Sequence, residues 1–174
     1  MKTNALAAGL LVALAACSGP GRREPKAPAA QDAFFAKLAA LCGKAFEGRS
    51  AANAGGGAGP DPFEGKTLVM HVRECSETEI KVPFHVGADR SRTWVFTRTG
   101  AGLRLKHDHR HEDGKPDAVT MYGGDTAGPG TAEKQSFPAD AFSKDTFVRA
   151  QIPQSGANVW VAGLSPTVRK KSSV

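Results

Sequence analysis

The 174-residue chain carries no Gly-x-Ser-x-Gly elbow, no phosphate-cradling glycine loop and no His-Glu-x-x-His pair. Those absences remove the common signatures of serine hydrolases, nucleotide-phosphate enzymes and zinc peptidases. Cysteine is scarce: Cys17, Cys42 and Cys75 are all there is. Neither Cys42 nor Cys75 lies in a signature that would mark a catalytic thiol, and no catalytic residue is assigned. No helical period separates the extended segments between Lys66 and Gly124, which excludes βαβ crossovers and a parallel sheet. No second block of composition follows the first, so one domain with its own core is expected. Clustered basic charge is also missing, apart from Arg22-Arg23 and Arg169-Lys170-Lys171. Elsewhere the net charge of +6 is interleaved with acidic side chains, the pattern of a solvated surface without a nucleic-acid footprint. The apolar run from Ala5 to Ala16 is too short to span a bilayer as a stable helix.

That run follows Lys2 and ends in Leu14-Ala15-Ala16-Cys17. The segment resembles a bacterial lipoprotein signal with its lipobox. The resemblance implies that residues 1–16 are a signal peptide, that cleavage precedes Cys17, and that Cys17 is lipidated. The acyl chains would anchor the protein to a membrane. Ser18 stands where an aspartate would suggest inner-membrane retention, so a periplasm-facing position with the outer membrane favoured is expected. Residues 17–30, rich in Pro, Gly and Ala, read as a flexible tether. A single domain is expected over 31–164, with a basic tail over 165–174.

Phe34, Leu38, Leu41 and Cys42 recur at helical spacing within Asp32 to Cys42, with Phe35 widening the stripe and Gly43 as a stop. The stripe predicts a short helix that plugs a core. The segment Leu38-x-x-Leu41-x-Gly43-x-x-Phe46-x-Gly48 is similar to the leading motif of calycin-type (lipocalin-like) barrels. There a short helix passes through a glycine into the first strand, whose aromatic packs at the barrel floor. Residues 38–126 also resemble a group of uncharacterised bacterial secreted proteins with this pattern. Those proteins continue with aromatic-rich strands after a segment like Asn158-Val159-Trp160, and this chain departs from them there. Residues 49–62 form a Gly/Ala-rich loop, read as a surface insertion or a portal.

Period-2 alternation predicts strands over Lys66–Cys75, Glu79–Val86 and Arg92–Arg98. Pro83 cannot donate to a ladder, which argues for an edge position or a bulge. A long hairpin is expected over 103–124, with strands to His111 and from Ala118. Glu133–Phe137 and Asn158–Leu164 predict further short strands, and Ala139–Phe142 a turn of helix. The fold class is therefore mainly β: an antiparallel meander closing into a lipocalin/calycin-like barrel, with a short N-terminal helix. Its expected core is Leu68, Met70, Val72, Ile80, Val82, Phe84, Trp94, Phe96, Leu103 and Leu105. Of these, Met70, Val82, Phe84, Trp94, Phe96, Leu103 and Leu105 are candidates to line a ligand cavity.

With Cys17 assigned to lipid, Cys42 and Cys75 remain as a disulfide or as two buried thiols, the disulfide being favoured in an exported protein. His107, His109 and His111 share one strand face, and two such imidazoles can converge on zinc or copper if a further ligand, from His71, His85 or a carboxylate elsewhere, reaches them. The alternative is a polar strand end. The parity of the turn decides whether the histidines align with Val119 and Met121 or with Thr120 and Tyr122. Asp108, Glu112, Asp113 and Asp117 alternate with Arg and Lys, as cross-strand ion pairs do.

These readings lead to a monomeric, lipid-anchored envelope protein that binds a small, partly apolar ligand and needs no cofactor. The alternatives are a zinc- or copper-binding envelope protein and a structural or interaction module without a ligand. For the anchor, labelled palmitate supplied to bacteria making the full chain is expected to enter the wild type and not Cys17→Ala. Equal labelling of both, or of neither, contradicts the lipobox reading.

Overall fold

The computed structural model describes residues 29–51 and 61–164. The expected signal peptide, Cys17, nearly all of the expected tether, residues 52–60 of the glycine-rich loop and the expected basic tail lie outside the described residues. Among the described residues, no helix is long and apolar enough to cross a membrane.

Among the described residues the protein is mainly β and antiparallel, with two α-helices. In chain order it runs α1 (Ala29–Ala39), β1 (Ala45–Gly48), β2 (Leu68–His71), β3 (Glu74–Cys75), β4 (Glu79–Val86), β5 (Asp89–Thr99) and β6 (Gly102–His109). There follow β7 (Tyr122–Asp125), β8 (Lys134–Pro138), α2 (Ala141–Arg149), a 3-10 helix (Pro153–Ala157) and β9 (Val159–Gly163). The larger sheet is ordered β1-β2-β4-β5-β6-β7, with β3 also paired to β4, and β8 and β9 form a separate two-stranded ribbon. Among the described residues no pairing joins β7 back to β1, so the expected closure into a barrel is not seen.

Helix α1 begins at Ala29, inside the expected tether, and its α-helical part ends before Leu41 and Cys42. Both still follow it in a tightening turn, through Leu41 N–H to Leu38 O (3.0 Å) and Cys42 N–H to Ala39 O (2.9 Å). Gly43, at φ +79, then turns the chain in the left-handed region that glycine tolerates. Cys42 and Cys75 lie at disulfide distance with Cα atoms 6.3 Å apart and a sequence separation of 33. Closing a loop of that size removes about 3–4 kcal/mol of unfolded-chain entropy, and the bridge ties the end of α1 to β3.

Pro83 accounts for the break between β2 and β3. It lies in an interior strand, paired to Thr93 of β5 on one side. On the other side, Met70 pairs with Phe84 and Glu74 with Lys81, four steps against three. One extra residue therefore bulges out where Pro83 has no N–H to offer. Val72 N–H instead donates to Lys44 O (3.0 Å), and Arg73 N–H to Lys81 O (3.0 Å).

The cross-strand register builds one apolar face. Ile80, Phe96, Leu105 and Gly124 form one row, and Val82, Trp94, His107 and Tyr122 the next. Helix α1 and the β8–β9 ribbon cover this face. Phe34 of α1 and Phe137 of β8 reach Phe96, with ring centroids 6.4 and 6.0 Å away. Fully burying such a ring contributes about 2 kcal/mol or more. The opposite face carries ion pairs, among them the cross-strand pair Arg104–Asp125 at 2.6 Å.

Strand β7 ends the sheet, and α2 caps it. The Ser143 hydroxyl accepts from Gly123 N–H (2.7 Å), and Gly123 O accepts from Asp140 N–H (2.9 Å). Asp140 is at the same time the N-cap of α2, accepting from Ser143 N–H at 2.9 Å. An otherwise free edge is thus satisfied by a helix N-terminus. The approach requires glycine: a Cβ on Gly124 would stand 2.0 Å from Pro138 O, and one on Gly123 2.0 Å from Leu105 O.

Gly124→Ala is therefore expected to destabilise the protein by roughly 3 kcal/mol. Gly48→Ala, where nothing lies within 4 Å of the added Cβ, should cost no more than about 0.5–1 kcal/mol. Urea unfolding of both variants checks this, and equal midpoints would contradict the close packing of β7 on the start of the ribbon connection.

Candidate functional site

The hairpin that carries the histidines is less regular than its sequence suggests. Strand β6 ends at His109, and β7 begins only at Tyr122. His107 pairs with Tyr122, which settles the parity in favour of Tyr122. Arg110 then bridges to Pro116, so residues 118–120 leave the ladder instead of opening a strand at Ala118, and Met121 N–H rejoins it by donating to His107 O (2.7 Å). Met121 reaches β7 through φ +54, an uncommon conformation for a residue with a side chain.

The four candidate metal ligands do not gather. His107 and His109 share the inner face. His111 lies beyond the strand, exposed, with its N–H donating to Lys115 O at 2.9 Å. His71 alternates with inward-facing Met70 and pairs with Ala45 of β1, on the opposite face. Among the described residues no group of three His, Cys, Asp or Glu is placed to hold a metal ion.

His107 is packed as an aromatic residue. Its ring stacks on Tyr122 (centroids 4.7 Å, planes 10° apart) and meets Trp160 at 5.1 Å and Trp94 at 5.9 Å. Its Nδ1–H donates to Tyr122 O at 3.2 Å, which assigns the neutral tautomer. Burial pushes its pKa down to about 4, against the Tyr122 carbonyl, which favours the charged form. His109 is half-buried and shares a hydrogen bond between Nε2 and the Tyr122 hydroxyl (3.1 Å). Burial first and the Arg92 charge second lower its pKa, while burial raises that of Tyr122.

Two cavities adjoin this face. The larger, about 830 Å³, lies between α1, the β1–β2 side of the sheet and β9. Its wall includes Phe34, Leu38, Leu41, Phe46, Met70, Val72, Val82, Trp94, Phe96, Ala162 and Leu164. Lys37 and Glu133, paired with one another, are the charged side chains on its lining. Of the lining residues expected from sequence, Met70, Val82, Trp94 and Phe96 stand on this wall. Phe84, Leu103 and Leu105 lie instead in the packed core: Leu103 and Leu105 are almost fully buried, and Phe84 stacks on Trp94 at 4.9 Å. The contributions of α1 follow from its helical stripe. Those of Ala162 and Leu164 do not, because they depend on where the ribbon crosses the sheet.

The smaller cavity, about 330 Å³, forms where the 110–121 connection, the region after α2 and the start of β9 meet. His109, Asp117, Tyr122, Phe147, Ser155, Asn158 and Trp160 line it, with Val119 and Ile152.

The His107 environment sets a pH dependence. Below about pH 6.5 an unfolded chain takes up a proton on His107 that the folded chain refuses down to about pH 4. Its contribution to stability is therefore fully present above about pH 6.5 and is lost as the pH falls to about 4, by about 3 kcal/mol in all. Urea unfolding across that range should show the slope in the wild type and a weaker one in His107→Phe. An NMR titration giving folded His107 an unshifted pKa would contradict the packing described. The chain matches no protein-family model, no curated protein and no solved structure with which it was compared.

Proposed function

We propose that the protein binds a small, largely apolar molecule in the cavity between α1, the β1–β2 side of the sheet and β9. The observation that carries this reading is a cavity of about 830 Å³ whose wall is almost wholly apolar. That volume falls within the roughly 300–1,000 Å³ of small-molecule sites. Apolar side chains left facing a space of this size forgo favourable burial, and an apolar occupant restores it. Among the described residues the only charged side chains on the lining, Lys37 and Glu133, are engaged with each other. The wall therefore offers no poised acid, base or nucleophile and favours binding over catalysis.

On this reading the sheet, the α1 plug and the ribbon together act as a calycin-like container. The lipobox resemblance supports tethering that container to the cell envelope through Cys17, facing the periplasm, with the outer membrane favoured. The zinc or copper reading rests on His107 and His109 alone, and no observation favours it here. A module without a ligand is the outcome if the cavity stays empty in solution.

N-phenyl-1-naphthylamine, which fluoresces in apolar surroundings, is the probe. Titrated into the full chain, it should give a saturable increase. Met70→Trp and Leu164→Trp, which extend rings into the space, should each weaken binding at least about tenfold, or about 1.4 kcal/mol. Absence of saturable binding, or undiminished binding by both folded variants, sinks the proposal.

A further inference from the structure

We propose that the smaller cavity is a second site, built for a small organic cation of the methylated-ammonium class. Three of its walls are aromatic. Trp160 and Phe147 pack around Tyr122 with ring centroids 5.5 and 5.3 Å from it, and all three rings line the space. The electron-rich faces of such rings attract a cation, most strongly where water is displaced.

A carboxylate completes the set. Asp117 lines the cavity, and its Oδ1 accepts from Val119 N–H at 2.9 Å. Among the described residues it forms no ion pair with lysine or arginine, in contrast to Asp108 of β6 and Asp113 of the same connection. Among the described residues no lysine or arginine lines the cavity. The Arg92 charge is felt at both His109 and Tyr122, and Arg92 is itself paired with Asp89. Burial lowers the pKa of His109, which disfavours positive charge on the wall. Ser155 and Asn158 add neutral polar groups to the lining.

Other ligand classes fit less well. An anion would meet the Asp117 carboxylate with no lining lysine or arginine to offset it. A hard metal cation requires about six to eight oxygen ligands, and no three-ligand group is present among the described residues. A compact cation with an apolar periphery satisfies both the rings and the carboxylate. This site is independent of the larger cavity, which Trp94 lines and Trp160 does not.

The test uses the full chain and tetramethylammonium chloride, read by NMR at the Trp160 indole N–H, with the Trp94 indole as internal reference. Sodium chloride at equal concentration controls for ionic strength, and neopentyl alcohol supplies a neutral molecule of similar shape. A saturable shift at Trp160 alone is expected with tetramethylammonium. Asp117→Asn, which keeps an oxygen for Val119 N–H, should weaken it at least about fivefold at an unchanged melting temperature. No saturable shift, an equal response to neopentyl alcohol, or full-strength binding by a folded Asp117→Asn each overturns the proposal.

Discussion

Phe96 is the residue on which the arrangement turns. Its ring is met by Phe34 from α1 and by Phe137 from the ribbon, so one side chain of a central strand binds both covering elements to the sheet. The constraint behind it is general: an antiparallel sheet with one apolar face must cover that face. Here the cover comes from two pieces distant in sequence, and they do not meet everywhere. The larger cavity is the space they leave over Met70, Val82 and Trp94.

The two ends of the sheet are treated differently. At β7, Ser143 and Asp140 satisfy the backbone of Gly123, and two adjacent glycines allow the approach. At the other end, among the described residues, β1 is paired only to β2, and Phe46 of β1 stands on the cavity wall. A sheet sealed at one edge and cavity-bearing at the other has a direction, and that direction places the apolar site. The aromatic group around Tyr122 lies towards the sealed side, next to α2 through Phe147.

Strand β4 was fully legible in the sequence, because Ile80, Val82, Phe84 and Val86 alternate without interruption and all four are buried. Pro83 announced an irregularity but not its place: the strand stays interior, and its neighbour breaks instead. Helix α2 is longer than the turn expected at Ala139–Phe142, since its buried side is Ser143, Thr146 and Phe147, too polar to register as an apolar stripe. Asp140, an N-cap residue type just ahead of the helix, was its available signal. Tyr122, the chain's only tyrosine, stood in the hairpin as one of two parity choices. Nothing local distinguished it, because its role comes from Trp160 and Phe147, which approach from later elements. The histidine row illustrates the same limit: alternation placed His107 and His109 on one face, but packing made His107 part of an aromatic cluster.

The central claim is that the covering elements leave a fillable apolar space over one part of the sheet. Methyl NMR of the full chain under xenon pressure tests it most directly, since xenon enters apolar cavities without needing a specific contact. Saturable shifts at the methyls of Met70, Val82 and Leu164, with the exposed Val159 methyls unaffected, are the predicted result. Silence at Met70 and Val82, or shifts no larger than those at Val159, would mean that the space is filled in solution and would contradict the account.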